Sequence, residues 1–222
     1  MKPASNEKVA AMSQLAGGVG HELGNILLRI MGKIELAQME EDTAKSKNYL
    51  ESAMAACERM TLLIRNLQSF GRVAVHPQKQ DLMPVIHKAL RLLEGDASKY
   101  KGKMILQGPK AAVCHFDEQP FLQVINNLTL NGLQSMPKGG ELKITVTDQD
   151  PKWIWVTIQD QGVGMDDALK AQSFEWGFTT RGARGAGLGL PIARDILNEH
   201  QAQFELVSQA GQGTTVKIGV PR

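Results

Sequence analysis

Hydrophobic residues recur at alternating steps of three and four along the first part of the chain. The first run is Val9, Met12, Ala16, Val19, Leu23, Ile26 and Ile30, and the second is Leu50, Ala53, Cys57, Met60, Ile64 and Leu67. This spacing is typical of a helix with one apolar face. The polar stretch MEEDTAKSK separates the runs, and Asp42 or Thr43 can cap the second helix. The pattern therefore predicts an antiparallel helical hairpin.

Neither helix of this hairpin can bury its apolar face alone, and two such helices cannot enclose a core between them. When two hairpins pair, their four apolar faces meet in the centre of a four-helix bundle. We therefore expect the chain to form a homodimer through this region.

The hydrophobic pattern changes after the stretch GRVAVHP. Apolar and polar residues then alternate over 141–148 and 152–159, and the join DQDP makes these two segments a hairpin of strands. A second strand hairpin is expected in QFELVSQ and TTVKIGV, and helical spacing occurs at 82–94, 118–134 and 190–200. We predict a helical domain over 1–74 and an α/β sandwich over 75–222, with its helices on one face of a mixed sheet.

Composition and charge exclude several classes of partner. The net charge is +2 and Lys and Arg form no long block, so we expect neither nucleic acid nor an anionic membrane surface. No apolar run reaches the roughly 20 residues of a membrane span, and the start MKPASNEK does not look like a signal peptide, so we expect a cytoplasmic chain. Cys57 and Cys114 lack the spacing of a disulfide or metal framework.

The stretch GGVGHELGN places four glycines beside one histidine in the first predicted helix. His21 falls at the heptad position that points away from the apolar face, and Asn25 lies one turn later on the same side. Each glycine inside a helix costs about 1 kcal/mol relative to alanine. The glycines either permit close helix packing or clear the approach to the imidazole. We favour the second interpretation, in which His21 is a nucleophile presented to another domain.

Two loops of the second domain have the composition of a nucleotide site. Asp160, in DQGVGM, continues the apolar face of its strand, where the exocyclic amine of a purine would supply the donor that a buried carboxylate needs. The alternative is a turn-forming aspartate. Further on, RGARGAGLGLPIARDIL carries glycines directly before a helix, and a helix N-terminus favours phosphates. The alternative there is a flexible loop.

Asn127 and Asn131 lie four positions apart in the helix of QVINNLTLNGLQSM and therefore share a face. Amide oxygens suit Mg²⁺, which prefers oxygen ligands and keeps waters and phosphates in its shell. Such a pair alone is more often solvated or capping. The asparagine helix, the aspartate turn and the glycine loop in this order are far more specific than any one of them.

With these motifs the sequence resembles the sensor histidine kinases of two-component systems over nearly its whole length. GHELGN looks like the phosphoacceptor H-box, NNLTLNGLQSM like the N-box, DQGVGM like the first glycine box, FEWGFTT like the F-box and GAGLGL like the second glycine box. The closing GQGTTVKI is also similar. The resemblance implies a dimerisation and histidine-phosphotransfer domain followed by a Bergerat-type ATP-binding domain.

The resemblance also implies roles for individual residues. His21 would be the phosphoacceptor, Glu22 its general base, and Asn25 would orient a water against the aspartyl phosphate of a response regulator. Asn131 would ligate Mg²⁺, and Asp160 would read the adenine amino group. The other expected site residues are Asn127 near the phosphates, Gly162 and Gly164 in the turn, Phe174, Phe178, Thr179 and Thr180 in the F-box, and Gly185, Gly187, Leu188 and Gly189 in the lid.

The sequence departs from the common family pattern at four positions. Gly24 and Ile26 stand where many relatives have Asn and Pro, so the usual proline bend after the histidine is weak or missing. Gly132 replaces a common alanine, and Arg181 replaces a common lysine. None of these departures removes a reacting group.

The function predicted is an ATP-dependent histidine kinase that phosphorylates His21 and passes the phosphoryl group to an aspartate of a response-regulator receiver domain, with phosphatase action as an open question. One alternative is a histidine phosphotransfer scaffold with an inactive ATP site. The other is a different ATPase of the Bergerat fold, although those lack the H-box helix. We expect the sensor input domain to be missing from this sequence or to be a separate protein.

Overall fold

The computed structural model of the chain describes residues 4–68, 75–180 and 187–222. In the first two helices, the side chains outside this description are those of residues 4–19, 21, 22, 58, 59, 62, 63 and 65–68. The chain divides into two compact units, one of Met1–Gly71 with Trp176–Leu188 and one of Arg72–Glu175 with Gly189–Arg222. The predicted boundary at residues 74 and 75 stays a prediction, because Trp176–Leu188 groups with the first unit.

Two long helices, α1 (Ala4–Met39) and α2 (Thr43–Gln68), form the N-terminal hairpin. The link between them is shorter than the polar stretch in the sequence, because both helices extend into it. Asp42 caps α2, since its Oδ1 accepts the backbone N–H of Ala44 at 2.9 Å. The Ser46 hydroxyl donates to the carbonyl of Ala37 at 2.9 Å. These bonds fix the start of α2 against the end of α1.

Among the side chains that the structure describes, the apolar core of this hairpin is small. Ile26 and Ile30 of α1 pack with Ala56 of α2, and Met60 lies against them. Cys57 is exposed, although the heptad pattern placed it on the apolar face, because α1 covers Ala56 instead. Other large apolar side chains of the hairpin are also exposed, among them Leu27, Leu28, Met31, Leu50, Met54 and Ile64. One hairpin therefore leaves much apolar surface uncovered.

The second unit contains the remaining helices and all strands of the described chain. Its strands are β1 (Gln78–Asp81), β2 (Gly102–Gln107), β3 (Val113–Phe116), β4 (Gly140–Thr147), β5 (Trp153–Asp160), β6 (Gln203–Ser208) and β7 (Thr214–Pro221). Its helices are α3 (Met83–Leu92), α4 (Glu94–Lys99), α5 (Glu118–Ser135), α6 (Asp167–Gln172) and α7 (Gly189–Glu199). This composition confirms the predicted α/β class.

Five of the strands form a mixed sheet in the order β2-β4-β5-β7-β6. β2 pairs parallel with β4, and the other neighbours pair antiparallel. Alternate residues of the central strands are buried, as the alternating pattern predicted: Leu142, Ile144, Val146, Ile154, Val156 and Ile158. Helices α5 and α7 pack together, and α5 also packs against β5. This packing brings the end of β5 close to α5.

Several elements were absent from the prediction. β1 and β3 pair with each other outside the main sheet, and each has only four residues. β2 lies at the edge of the sheet, and its side chains are partly exposed on both faces, so it lacks a clear alternation. The short helices α4 and α6 were also not predicted, because six residues give too little periodicity.

Helix α7 ends in a Schellman motif whose left-handed position is occupied by glutamine. The N–H of Ala202 donates to the carbonyl of Leu197, and the N–H of Gln201 donates to that of Asn198. Gln201 has φ of 53°, which L side chains adopt at a cost of about 1–2 kcal/mol. The motif therefore forms although glutamine, and not glycine, occupies its left-handed position.

Gln201→Gly should raise the free energy of unfolding by about 1 kcal/mol, because glycine adopts this conformation without strain. Urea unfolding would measure the change. Gln203→Gly is the control, since Gln203 lies in the extended backbone of β6, where glycine destabilises. Equal effects of the two substitutions would contradict the explanation.

Candidate functional site

Asp160 lies at the end of β5 and is buried on the same face as the apolar residues of that strand. Its Oδ1 accepts the N–H of Gly162 at 2.8 Å and the N–H of Thr214 at 3.2 Å, and the Ser135 hydroxyl, whose one proton is shared with the carbonyl oxygen of Gly132 at 2.7 Å, lies 2.8 Å from it. In the described part of the chain, no hydrogen bond reaches its Oδ2. One carboxylate oxygen is thus held by the protein, and the other can accept from a ligand.

Burial raises the pKa of the Asp160 carboxyl above its ordinary value, and the bonds from Gly162, Ser135 and Thr214 partly oppose this shift. The sequence did not predict that the protein itself supplies donors to one oxygen of this carboxylate, and adenine recognition by Asp160 stays a prediction. A buried carboxylate that keeps an oxygen without a protein partner is unfavourable for folding alone. Such groups are typical of functional sites.

The turn after Asp160 is packed so closely that glycine is required. A Cβ on Gly162 would lie 1.9 Å from the Ser135 hydroxyl oxygen, and a Cβ on Gly164 would lie 1.9 Å from the carbonyl oxygen of Gln209. Gly164 also has φ of 63°. The N–H of Val163 donates to the carbonyl of Ser135 at 3.1 Å. The turn is therefore fixed between the end of α5 and the loop before β7.

Three polar residues form a line along α5: Asn127, Asn131 and Ser135. Asn127 Nδ2 donates to the carbonyl of Gly189, the first residue of α7, at 3.3 Å. The amide nitrogen of Asn131 would lie 3.4 Å from a Cβ placed on Gly189. Ser135 ends the line at Asp160. The line runs for about 12 Å at 1.5 Å per residue, from the start of α7 to the end of β5.

The F-box residues comprise Phe174, which packs on its neighbours through its ring, and the later residues Phe178, Thr179 and Thr180. Phe174 stacks edge to face on Phe204 at 5.5 Å between ring centroids, and the Arg194 guanidinium lies over its ring at 5.3 Å. Phe178 and Thr179 are partly buried and Thr180 is exposed. Phe174 therefore joins the end of α6 to α7 and β6.

Gly187, near the end of the predicted lid, contacts the F-box backbone. Its carbonyl accepts the N–H of Gly177 at 3.1 Å. With φ of 62°, a Cβ on Gly187 would lie 2.6 Å from the carbonyl oxygen of Phe178. Leu188 is buried, and Gly189 begins α7. Gly185 lies outside the described residues.

The backbone of the H-box belongs to α1, while the side chains of His21 and Glu22 lie outside the described residues. Asn25 is exposed, as predicted. A Cβ on Gly20 or on Gly24 would meet no atom within 4 Å among the described neighbours. Contacts with the described residues of the chain therefore do not explain these two glycines.

Sequence reasoning missed two members of the site. Ser135 lies in the quoted N-box, four positions after Asn131, and its spacing could have placed it on the same face. Thr214 lies in the closing GQGTTVKI, but its bond to Asp160 spans 54 positions and has no local signal. Among the described residues, no three His, Cys, Asp or Glu side chains gather where they could hold a metal ion. Over the same residues, no helix is long and apolar enough to cross a membrane.

Two family models match the chain, in the order that the motifs indicated. The His Kinase A (phospho-acceptor) domain matches residues 11–74, which include the H-box. The Histidine kinase-, DNA gyrase B-, and HSP90-like ATPase matches residues 116–222, which include α5, the Asp160 turn and α7.

Individual proteins are similar over nearly the whole chain. The signal transduction histidine-protein kinase AtoS of Escherichia coli (strain K12) is 26% identical over 221 residues, which are 98% of this chain and 36% of AtoS. Sporulation kinase C of Bacillus subtilis (strain 168) is 26% identical over 219 residues, which are 97% of this chain and 50% of that kinase. The chain thus spans half or less of the length of these relatives.

A solved structure shares the fold. The histidine kinase ThkA, crystallised in complex with the response regulator protein TrrA, is 22% identical, with a TM-score of 0.62 over 97% of this chain and 63% of the other. Because the phosphoacceptor and ATPase matches follow one another on one chain, and histidine kinases align with it from end to end, the chain belongs to the sensor histidine kinases of two-component systems.

Proposed function

We propose that this chain is an ATP-dependent histidine kinase that phosphorylates His21 and passes the phosphoryl group to an aspartate of a response-regulator receiver domain. The observation that carries the proposal is the state of Asp160. Its Oδ1 is held by two backbone N–H groups and the Ser135 hydroxyl, and its Oδ2 is left for a ligand in a buried site. The exocyclic amine of adenine is a donor of the kind that this oxygen needs.

The line of polar residues on α5 fits the dimensions of a nucleotide. With adenine at Asp160, the phosphates extend toward Asn127 and the first residue of α7. The backbone N–H groups at the start of α7 are free of helical partners and attract negative charge. Gly189 leaves room there, because a side chain would approach both Asn127 and Asn131. The pocket thus offers a purine acceptor at one end and phosphate donors at the other.

The residues present also fit a magnesium ion that enters with the nucleotide. Mg²⁺ keeps most of its shell from phosphates and water, so one amide oxygen suffices from the protein. Asn131 is partly exposed on the face of α5 nearest to the start of α7, and we assign it this role. When bound, the ion would neutralise charge on the transferring phosphate.

In the transfer step, a ring nitrogen of neutral His21 attacks the γ-phosphorus of ATP. The bond to the bridging oxygen breaks, ADP leaves with that electron pair, and Glu22 takes the proton from the other ring nitrogen. No described atom would contact a Cβ on Gly20 or Gly24, which supports this step, because the ATP-binding unit and then a receiver must both reach the imidazole. The receiver aspartate attacks the phosphohistidine in the second transfer.

The exposed apolar residues of the hairpin support homodimerisation through a four-helix bundle. The complex of ThkA with the response regulator TrrA supports a receiver domain as the partner. We place the kinase in the cytoplasm.

A phosphorylation assay tests the proposal. ATP labelled in its γ-phosphate should transfer label to the chain in the presence of Mg²⁺, and the bond should survive alkali but not acid, as phosphohistidine does. Absence of both bound ATP and label would favour the phosphotransfer scaffold with an inactive ATP site. An acid-stable label would indicate another kind of kinase, and hydrolysis without labelling another kind of ATPase.

Asn25→Ala should leave autophosphorylation and transfer nearly unchanged but lengthen the lifetime of the phosphorylated regulator several-fold. Asn25 is exposed on α1 one turn after His21, and its amide can both donate to and accept from an attacking water. The measurement compares regulator-phosphate lifetimes at equal kinase concentration. Glu35→Ala, an exposed change farther along α1, is the control. Identical lifetimes for wild type and Asn25→Ala would remove the phosphatase role of Asn25.

A further inference from the structure

A buried histidine follows the last residue of α7 and binds the start of α5. His200 is 3% exposed. Its Nε2 accepts the backbone N–H of Asp117 at 2.9 Å, and its Nδ1 lies 2.7 Å from the carbonyl oxygen of Ile196. The ring also meets Phe121 edge to face, with 5.9 Å between centroids. None of the motifs in the sequence involves this residue.

The two hydrogen bonds determine the protonation state of the ring. A carbonyl oxygen can only accept, so Nδ1 must carry a proton and donate to Ile196. A backbone N–H can only donate, so Nε2 must be unprotonated and accept from Asp117. Both bonds can form only in the neutral Nδ1–H tautomer.

The histidine makes one of the hydrogen bonds that join the α5 region to the α7 region. At the start of α7, Asn127 of α5 donates to the carbonyl of Gly189. At the end of α7, His200 accepts from the N–H of Asp117, directly before α5. The helices therefore run antiparallel with a polar bond at each end. Both carry residues of the proposed nucleotide site, so their relative position sets its geometry.

Protonation of His200 would oppose its bond from Asp117. An Nε2–H would point at the Asp117 N–H, and two donors cannot bond. The carboxylates acting on the ring are Asp117 and Glu199, and both favour the charged form. Asp117 Oδ2 in turn accepts the backbone N–H of His76 at 3.0 Å, and the α5 side chain against the ring, Phe121, is uncharged. A protonated ring would therefore turn from the amide toward a carboxylate.

Burial lowers the pKa of His200 below its ordinary value of 6.5, while its bond to Ile196 and the carboxylates of Asp117 and Glu199 partly oppose the shift. The unfolded chain, with an ordinary imidazole, therefore binds a proton at higher pH than the folded protein. The contribution of the neutral ring to stability is complete above the ordinary pKa and declines as the pH falls below it. We therefore expect the loss of stability to occur under mildly acidic conditions.

We propose that His200 is a positioning residue that fixes α7 against α5 while neutral, and that its protonation loosens this tie and weakens ATP binding in acid. The proposal rests on the proposed function for the identity of the ligand. Its structural half, a tie that depends on protonation, is independent of ATP.

The first test follows stability without nucleotide. The free energy of unfolding should fall between about pH 7.5 and about pH 5.5 more steeply in wild type than in His200→Gln, because a glutamine amide oxygen can accept the Asp117 N–H and does not titrate there. His87→Gln, at an exposed position on α3, should follow wild type. Parallel curves for wild type and His200→Gln would overturn the proposal.

The second test measures ATP affinity by calorimetry at the same two pH values. On going to the lower pH, the ATP affinity of wild type should fall roughly fivefold more than that of His200→Gln. The variant also serves as the reference for titration of ATP and Asp160, because both are the same in the two proteins. His200→Phe keeps a ring beside Phe121 but leaves the Asp117 N–H unpaired, so its affinity should be low at both pH values. Equal pH dependence of wild type and His200→Gln would overturn the link to ATP.

A measurement on wild type alone keeps the inference testable if a variant fails to fold. The NMR signals of the His200 ring should report the Nδ1–H tautomer near neutral pH, and the ring should titrate over the range in which ATP affinity falls. Titration of the ring without a change in affinity would contradict the proposal. Absence of ATP binding at either pH would instead defeat the proposed function and leave the stability test intact.

Discussion

His21→Ala should incorporate no phosphate from ATP and should bind ATP with unchanged affinity. The imidazole is the proposed acceptor, and alanine offers no nucleophile. Asp160 and Asn131, which are proposed to hold the adenine and the magnesium ion, belong to the other compact unit. Alanine is also the best helix former, so α1 should keep its structure. Phosphate incorporation and calorimetry measure the two halves of the result.

His87→Ala is the matched control for this experiment. His87 is an exposed histidine on α3, and its loss should leave labelling intact. Label that persists in His21→Ala and disappears in His87→Ala would move the phosphoacceptor to the second unit. Label that persists in both variants would exclude both His21 and His87 as the phosphoacceptor.

Asp160→Asn should weaken ATP binding by roughly 10- to 150-fold, the equivalent of about 1.5–3 kcal/mol for a lost charged hydrogen bond. The substitution is conservative for the fold. An asparagine Oδ1 can still accept from Ser135, Gly162 and Thr214, so those three bonds remain possible. The second oxygen becomes an NH₂ group, which would direct a donor at the donor of adenine.

The Asp160→Asn variant should therefore remain folded and should bind the adenine amino group more weakly. Inosine triphosphate, in which an oxygen replaces the amino group, should lose less affinity than ATP on this substitution, because the new amide can donate to that oxygen. The control is Asp150→Asn at the other end of β5, where Asp150 Oδ1 accepts the N–H of Lys152 at 2.8 Å. Unchanged ATP affinity in folded Asp160→Asn would reduce the aspartate to a turn residue.

The sequence predicted those parts of the site that depend on the short-range periodicity of strands and helices. Strand alternation placed Asp160 on the buried face, and helical spacing placed Asn127 and Asn131 on one face of α5. The F-box and glycine boxes were identified by resemblance, and their roles stay predictions. The heptad pattern predicted the hairpin, but within one chain Ala56 rather than Cys57 is covered.

The rest depends on contacts between distant segments. The bond from Ser135 to Asp160 spans 25 positions, and the bond from Asp117 to His200 spans 83. The residues next to His200 in the sequence do not distinguish it from an exposed histidine at a helix end. Its burial arises from α5, which contributes Phe121. Edge strand β2 was missed for a related reason, because its pairing with β4 compensates for its weak alternation.

The exposure of Cys57 gives the hairpin a natural attachment point for a thiol-directed probe. The chain has one other cysteine, Cys114, which is buried, and burial raises the pKa of its thiol to about 12. Since the thiolate is the reactive form, alkylating dyes should modify Cys57 far faster. A fluorophore there would lie near the exposed apolar side chains of α2 and would report when a second surface covers them, without any change to the sequence.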